Sequence, residues 1–462
     1  MRLRRLSDFM GDRAFYKRAL FVMVPVTVQQ LITTLFNFVD NVMVASIDEL
    51  SMAAVTVANK PTILYFSLFF GFTGAAGILL SQYAGAGRQE VCQRIFSIEM
   101  FIGLTIALLF AVVSALFPEF LMRLFVQDAN TIAIGSDYLR IAAWAFLPAG
   151  LSSVCIFSMR ALGINFLPMI TGIVAVCCNA FFNWALIFGH LGMPAMGVRG
   201  AALGTLLART CEMFFYFIIL LRRRTPFSLR FSEAFHVGRD LLRDYIRRAV
   251  PLTLNEILWS SGMLLCFWAY ARINEGALSA LNVADQITSI VWIFFIGIGS
   301  SVSVFVGKQL GASDFAGAKH NAKRLMGLSL MISVCCMVLC AAFSQSIGTL
   351  FPNLSPEQII IAQHLSYIIA FFFIPNGLYH LCFNLLRAGG DTRNTMILDS
   401  GFMWALPIPA AVLMGIFLPG KLDIRLALLI VQFLMQVRII WALIIVKRGT
   451  WLKNITRQAA QE

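Results

Sequence analysis

The stretch Ala45-Ser46-Ile47-Asp48-Glu49-Leu50-Ser51-Met52-Ala53-Ala54-Val55-Thr56-Val57-Ala58 returns later in the chain as Ala271-Arg272-Ile273-Asn274-Glu275-Gly276-Ala277-Leu278-Ser279-Ala280-Leu281-Asn282-Val283-Ala284. At the same offset of 226, without a gap, Pro25, Thr27, Thr62, Phe69, Gly71, Gly85 and Ala86 recur as Pro251, Thr253, Thr288, Phe295, Gly297, Gly311 and Ala312. At an offset of 227, Pro148, Gly150, Leu151, Cys155, Arg160, Ala161, Gly163 and Met169 recur as Pro375, Gly377, Leu378, Cys382, Arg387, Ala388, Gly390 and Met396. One unit has been duplicated, and each copy occupies about half of the chain.

Each copy is apolar. The 462 residues are 59% hydrophobic and 13% charged, with a mean hydropathy of +0.80, far more apolar surface than one soluble core needs. Windows of about 20 apolar residues predict spans at 19-45, 53-82, 95-117, 132-159, 167-189, 200-221, 250-272, 278-306, 324-350, 359-386, 395-418 and 425-446. The expected fold is therefore an all-α polytopic membrane protein with twelve transmembrane helices. Its expected domains are a six-helix lobe at 1-221, a polar linker at 222-249, a second six-helix lobe at 250-446 and a tail at 447-462. Because six is even, both copies enter the membrane with the same orientation, so an axis along the membrane normal relates them and a substrate site belongs at the repeat interface near the midplane.

The formal charge of +13 would suggest nucleic acid in a soluble protein. Here the bases lie between apolar runs: Arg222, Arg223, Arg224, Arg230, Arg239, Arg243, Arg247 and Arg248 in the linker, Lys308, Lys319, Lys323 and Arg324 after the eighth span, Lys447, Arg448, Lys453 and Arg457 at the end. The alternate loops hold only Arg123, Arg199, Arg272, Lys421 and Arg425. The positive-inside rule and anionic lipid account for this pattern and place both termini in the cytoplasm. The start, with Arg2, Arg4, Arg5, Arg13, Lys17 and Arg18, reads as the flank of a retained first helix, since no small-residue cleavage site follows. Of ten cysteines, Cys155, Cys177, Cys178, Cys211, Cys266, Cys335, Cys336, Cys340 and Cys382 fall inside apolar runs without CxxC spacing, as small core hydrophobes do. No Walker A, HExxH or GxSxG pattern stands out, and the five histidines are scattered, so ATP-driven and hydrolytic readings have no support.

Three motifs carry a family likeness: Ser81-Gln82-Tyr83-Ala84-Gly85-Ala86-Gly87 with its counterpart Gly307-Lys308-Gln309-Leu310-Gly311-Ala312; the run from Ala161-Leu162-Gly163 through Pro168, Asn179, Asn183 and Gly189 to Gly192-Met193-Pro194-Ala195-Met196-Gly197-Val198-Arg199-Gly200-Ala201-Ala202; and Leu386-Arg387-Ala388-Gly389-Gly390-Asp391-Thr392. Together with the repeat, they make the chain resemble the MATE (multidrug and toxic compound extrusion) transporters over essentially its whole length, with features of both DinF-like and NorM-like members. The resemblance implies two bundles forming a V around a central cavity, and entry of H⁺ or Na⁺ driving expulsion of organic cations.

Asp40 is the expensive charge. It lies in Phe36-Asn37-Phe38-Val39-Asp40-Asn41, deep in the first span, where a carboxylate must be protonated, paired or hydrated. Asp40 lies five residues from the outer end of its span, Asn183 about six from the outer end of the fifth, and Thr205 five into the sixth. At about 1.5 Å per residue all three sit roughly 8–9 Å below one boundary, and Asn179 is one turn below Asn183 on the same face. The resemblance implies the same quartet, because archaeal and DinF-like members place cation-binding or protonation groups at the positions of Asp40, Asn179, Asn183 and Thr205. Those members have a second aspartate where this chain has Asn183. With one carboxylate, H⁺ is favoured over Na⁺ at Asp40, since a hard cation gains from each anionic oxygen. The bland alternatives are hydrogen bonding of Asp40 to Asn37, Asn41 or a neighbouring helix, interhelical bonds for the two asparagines, and a bond from Thr205 to its own backbone.

In the second copy the candidates are Glu256, Asn376 and Asp399. NorM-like members carry a glutamate about one turn beyond Glu256, and an aspartate where this chain has Asn376, so the second ion site looks incomplete. Asp399 either substitutes for it or pairs with a neighbouring helix or an arginine. Among the remaining charges, Arg209 and Glu212 are expected to neutralise one another, Lys60 to snorkel outward and Arg438 inward. Pro25, Pro148, Pro251, Pro375, Pro407 and Pro409 fall inside spans, where they free carbonyls and allow bending.

The expectation is secondary active efflux: antiport of cationic amphipathic compounds against H⁺ by alternating access of two lobes in a bacterial inner membrane, with membrane lipid around it, no cofactor, no nucleic acid partner and the chain acting as a monomer. Flexible Met and aromatic walls suit flat cations. A lipid-linked precursor flippase is the runner-up and would line its cavity with arginines. A membrane-embedded enzyme would need paired catalytic groups at one depth, and only the Asp40 cluster offers a set, without a nucleophile or metal site.

Overall fold

The structure is a computed structural model, and it describes residues 9–222, 226–228, 238–351 and 354–458. Arg2, Arg4 and Arg5, and Arg223, Arg224 and Arg230 of the expected linker, lie outside the described residues.

Among the described residues the chain is helical, without strands. Among the described residues, eleven helices are long and apolar enough to cross a membrane: α1 Arg13–Ala45, α2 Glu49–Gly85, α3 Gln89–Leu116, α4 Ala129–Ala161, α5 Phe166–Phe188, α6 Gly197–Leu221, α7 Arg239–Ile273, α8 Leu278–Gly311, α9 Phe315–Gln345, α11 Thr392–Phe417 and α12 Ile424–Arg448. A bent pair, Pro356–Phe371 and Phe373–Ala388, turns by 45° and supplies a twelfth when taken as one span, α10.

The helices overrun the apolar windows because their polar flanks also favour helix. α7 begins at Arg239, inside the segment expected as linker, where Asp244 and Arg248 pair one turn apart at 2.9 Å and Tyr245 is fully buried. Asp48 starts α2 by accepting the Ser51 N–H at 2.7 Å, and Asp128 starts α4 by accepting the Thr131 N–H at 2.8 Å. These caps lie outside the spans, and their hydrogen bonds hold both carboxyls below the ordinary carboxylate range.

The prolines divide into two classes. α1 and α7 run unbroken through Pro25 and Pro251. Pro148 and Pro375, repeat counterparts, each follow a break: a 3-10 turn at Ala143–Ala145 in α4 and the bend at Phe372 in α10. In each case the ring removes the N–H that would have bonded four residues back. α11 is interrupted twice, by a π turn at Ile397–Gly401 and by a break at Leu406, ahead of Pro407 and Pro409.

The chain forms two compact units. The first comprises Val28–Leu80 and Arg88–Ala249; the second comprises Met1–Thr27, Ser81–Gly87 and Val250–Glu462. Phe15, Ala19 and Met23 of α1 belong to the core of the second unit, alongside Ile298, Val302 and Leu310. In the first unit, a cluster of Val44, Val55, Ala58, Met122, Tyr138, Leu139, Ile187, Ala201 and Ala202 closes the end of the bundle where α1 stops. α5 and α6 are in tight contact at Gly200 and Gly204. Gly200 sits against the Leu186 carbonyl and Gly204 against the Asn183 side chain, a Gly-x-x-x-Gly seam that only residues without a Cβ permit.

Candidate functional site

The small residues of α6 let α5 come close enough for side chains of three helices to meet at Asp40. Asp40 is buried on α1. Its Oδ1 accepts a hydrogen bond from Asn183 Nδ2 of α5 at 2.8 Å and another from Thr205 Oγ1 of α6 at 3.3 Å. The same Asn183 Nδ2 also reaches Asn179 Oδ1, one turn along α5, at 3.4 Å. The four residues expected from depth and periodicity therefore converge on one carboxylate. Thr205 turns toward Asp40, and no hydrogen bond ties Asp40 to Asn37 or Asn41.

The quartet is not hydrogen-bonded to completion. Asn183 Oδ1 and Asn179 Nδ2 are both buried without a partner, an unusual cost for interior amides. Oxygens grouped there are the Asp40 carboxylate, Asn179 Oδ1 and Thr205 Oγ1, while Asn183 Oδ1 packs against Gly204 and would need the amide to rotate. That set has one formal charge and suits a proton at least as well as a hard cation. Among the described residues, no group of three or more His, Cys, Asp or Glu could hold a metal ion.

Two neighbours were not anticipated from the sequence. The Tyr138 hydroxyl of α4 adjoins Thr205 and Asn59, and Asn59 stands at the interruption in α2, just before Lys60-Pro61. Arg209, one turn beyond Thr205 on α6, is a cation near Asp40. It is bonded to Glu212 at 2.9 Å and lies 4.4 Å over the Phe36 ring, so its charge is already balanced.

In the second unit, the three candidates have different partners. Glu256 of α7 is half-buried and stands 3.7 Å from Arg387 of α10. Asn376 accepts from Gln436 Nε2 of α12 at 3.3 Å and bonds to neither acid. Asp399 lies in the π turn of α11, where Oδ1 accepts from Arg438 Nη1 at 2.7 Å and from the Tyr379 hydroxyl at 2.9 Å, and Oδ2 accepts from Asn255 Nδ2 at 3.0 Å. Arg438 therefore does not snorkel to the boundary. It is 6% exposed, with its guanidinium 3.7 Å over the Tyr379 ring, because Asp399 supplies inside the protein the counter-charge that water would supply outside. Lys60, by contrast, is exposed.

The pseudo-symmetry extends to these polar groups. Arg160 and Arg387, one repeat apart, both reach back to the first helix of their own copy: Arg387 to Glu256, and Arg160 to Gln29 Oε1 at 3.1 and 2.7 Å. Glu99 of α3 is a further fully buried acid that the sequence reading passed over.

Comparison with known proteins agrees with this architecture. The MatE family profile matches residues 25–185 and 251–413, one stretch in each repeat. The chain is 24% identical to the probable multidrug resistance protein YoeA of Bacillus subtilis over 79% of each chain. It is 27% identical to the multidrug resistance protein PmpM of Pseudomonas aeruginosa over 89% of this chain and 86% of that one. Among solved structures, a MOP superfamily transporter from Pyrococcus furiosus superposes with a TM-score of 0.84 at 16% identity, covering 96% of this chain and 97% of the other. An outward-facing multidrug resistance MATE family transporter superposes with a TM-score of 0.83 at 17% identity, covering 96% and 98%. A duplicated helical unit, matched by the family profile in both of its copies, leads to one conclusion: the chain is a multi-pass membrane protein of the MATE (MatE) transporter family.

Proposed function

We propose that this protein is a secondary active exporter of cationic amphipathic small molecules, driven by H⁺ entering against the substrate, in a bacterial inner membrane with both termini in the cytoplasm. The observation that carries the reading is the setting of Asp40: a buried intramembrane carboxylate bonded to neutral amide and hydroxyl groups from two other helices. Such a group changes its preferred partners when it gains a proton. Ionised, Asp40 accepts from the Asn183 amide. Protonated, it becomes a donor, and a rotated Asn183 amide would offer it the oxygen that now lacks a partner. Protonation thus changes which packing of α1, α5 and α6 is favoured, the kind of local switch that biases a two-state transporter.

The names of the curated relatives, probable or established multidrug resistance proteins, support xenobiotic export. The flippase reading is weaker, because Arg387 and Arg438 of the second unit already face Glu256 and Asp399 and are not free to hold a phosphate.

The deciding experiment is drug accumulation in a hypersensitive bacterial host expressing the parent chain, Asp40→Asn or Glu256→Gln, under an imposed pH or Na⁺ gradient. Export by the parent is expected to follow the pH gradient and to be lost in Asp40→Asn. Equal export by Asp40→Asn at every pH would sink the coupling role. Export that follows a Na⁺ gradient with the pH gradient collapsed would replace H⁺ by Na⁺ and leave the site standing.

A further inference from the structure

Glu99 lies within α3 and has no exposed surface. Its Oε2 meets the Ser158 hydroxyl of α4 at 2.6 Å, and its Oε1 is buried without a partner. Each element packed around it presents titratable groups. α4 brings Cys155, one turn before Ser158, and α7 brings Tyr245, whose hydroxyl donates to the Phe72 carbonyl of α2 at 3.1 Å; α6, packed on α4 beside Cys155 rather than against Glu99, carries Glu212, bound to Arg209, and Tyr216, bonded to the Thr171 hydroxyl at 2.6 Å. The nearest cation in sequence to its partner is Arg160, and both of its bonded nitrogens go to Gln29.

Among the described residues, then, Glu99 has one hydrogen bond and no ion pair. An anionic carboxylate with one oxygen entirely unsolvated is among the least favourable arrangements in a membrane interior. The neutral acid fits: its O–H can donate to Ser158 Oγ, or its oxygen can accept from that hydroxyl, and the remaining oxygen carries no formal charge. Glu99 also shares no bonded partner with Asp40, whose contacts come from α5 and α6.

We propose that Glu99 is a second proton-binding site of the first unit, distinct from Asp40, which holds a proton in the state seen here and gives it up during the transport cycle. The step is one proton bound or released at one carboxyl, with the Ser158 bond kept in either form. This deepens the proposed H⁺ coupling and rests on it for the transport half.

The test uses the full-length purified protein in lipid. Infrared spectra at neutral pH are expected to show the carbonyl stretch of one protonated carboxylic acid in Asp40→Asn, lost in Asp40→Asn combined with Glu99→Gln. In Ser158→Ala that band should persist at the frequency of a less hydrogen-bonded acid. A band left unchanged when Glu99→Gln is added to Asp40→Asn, or no band at all in Asp40→Asn, overturns the assignment. In vesicles with an imposed pH gradient, Glu99→Gln is expected to flatten one limb of the pH profile of export while Glu99→Asp restores it. A parental profile in Glu99→Gln makes the proton static and overturns the proposal as well. Should the parent export nothing under any gradient, the H⁺ coupling itself fails, and the infrared result still judges the site.

Discussion

Asp399 and Arg438 meet at 2.7 Å inside the second unit, and both residues are buried. Tyr379 and Asn255 add hydrogen bonds to the carboxylate, while Arg438 Nε is buried without a hydrogen-bond partner among the described residues. Breaking the pair should be costly in either direction. Asp399→Ala or Arg438→Ala is expected to destabilise the protein by about 3–5 kcal/mol, since each leaves an uncompensated buried charge. The double change Asp399→Leu with Arg438→Met should recover most of that loss. Thermal unfolding of the purified variants in lipid reads the difference. A double variant no more stable than the singles would mean that the pair does more than neutralise itself.

The residues recovered from sequence share one property: each was placed by distance along a helix. Depth below a boundary follows from counting, and Asn179 and Asn183 share a face because they are one turn apart, so the Asp40 quartet could be assembled without knowing which helices touch. The residues that were misread or missed depend on rotation about the helix axis. Glu99 lies in Ser97-Ile98-Glu99-Met100, near the polar start of α3, where an outward turn would have left it an ordinary flank residue. Arg438 lies about two turns from the end of its span by count, yet faces α11. The tail after α12 reads as polar, and nothing in its composition shows that Trp451, Asn454, Ile455 and Thr456 are buried.

Gly204 touches the Asn183 amide so closely that a Cβ there would collide with Asn183 Oδ1. Gly204→Ala keeps every polar group of the quartet and displaces the one that donates to Asp40. The expected cost is about 1–3 kcal/mol in stability, the usual range for overpacking, with a larger proportional loss of pH-driven export than of expression. Vesicle transport and thermal unfolding measured side by side separate the two. Parental export in a stably folded Gly204→Ala would show that the position of Asn183 does not matter to Asp40.

The helix caps give a pH dependence whose sign is fixed. The Asp48 and Asp128 carboxyls sit below their ordinary range because Ser51 and Thr131 donate to them. A group depressed in the folded state stabilises it above the unfolded value, and that contribution is lost as pH falls through the folded value. Asp128→Ala is therefore expected to lower the melting temperature at neutral pH, with the gap to the parent closing in acid below the ordinary carboxylate range. A gap that is constant with pH would remove the charge from the explanation and leave only the hydrogen bond.

Gln82, in the Ser81–Gly87 motif, has no exposed surface. Its Nε2 donates to the Ala388 carbonyl at 2.7 Å, and its Oε1 accepts the Ile455 N–H at 2.9 Å. Asn454 extends the same contact by donating to the Gly311 carbonyl at 3.0 Å and the Ser313 hydroxyl at 2.7 Å. The segment after α12 is thereby stitched to turns from three separate parts of the second unit: 81–87, 307–313 and 388–390. Three of these bonds go to backbone groups, the Ala388 and Gly311 carbonyls and the Ile455 N–H, and the fourth to the Ser313 hydroxyl. Gln82→Ala should strand the Ala388 carbonyl and the Ile455 N–H at about 1–3 kcal/mol each, and because the tail has few apolar anchors beyond Trp451 and Ile455, the loss should appear first as local release. Limited trypsin digestion is expected to cut at Lys453 in Gln82→Ala and Asn454→Ala under conditions where the parent is spared. Equal protection in all three would show that the two aromatic and aliphatic anchors suffice, and that the polar stitching is redundant.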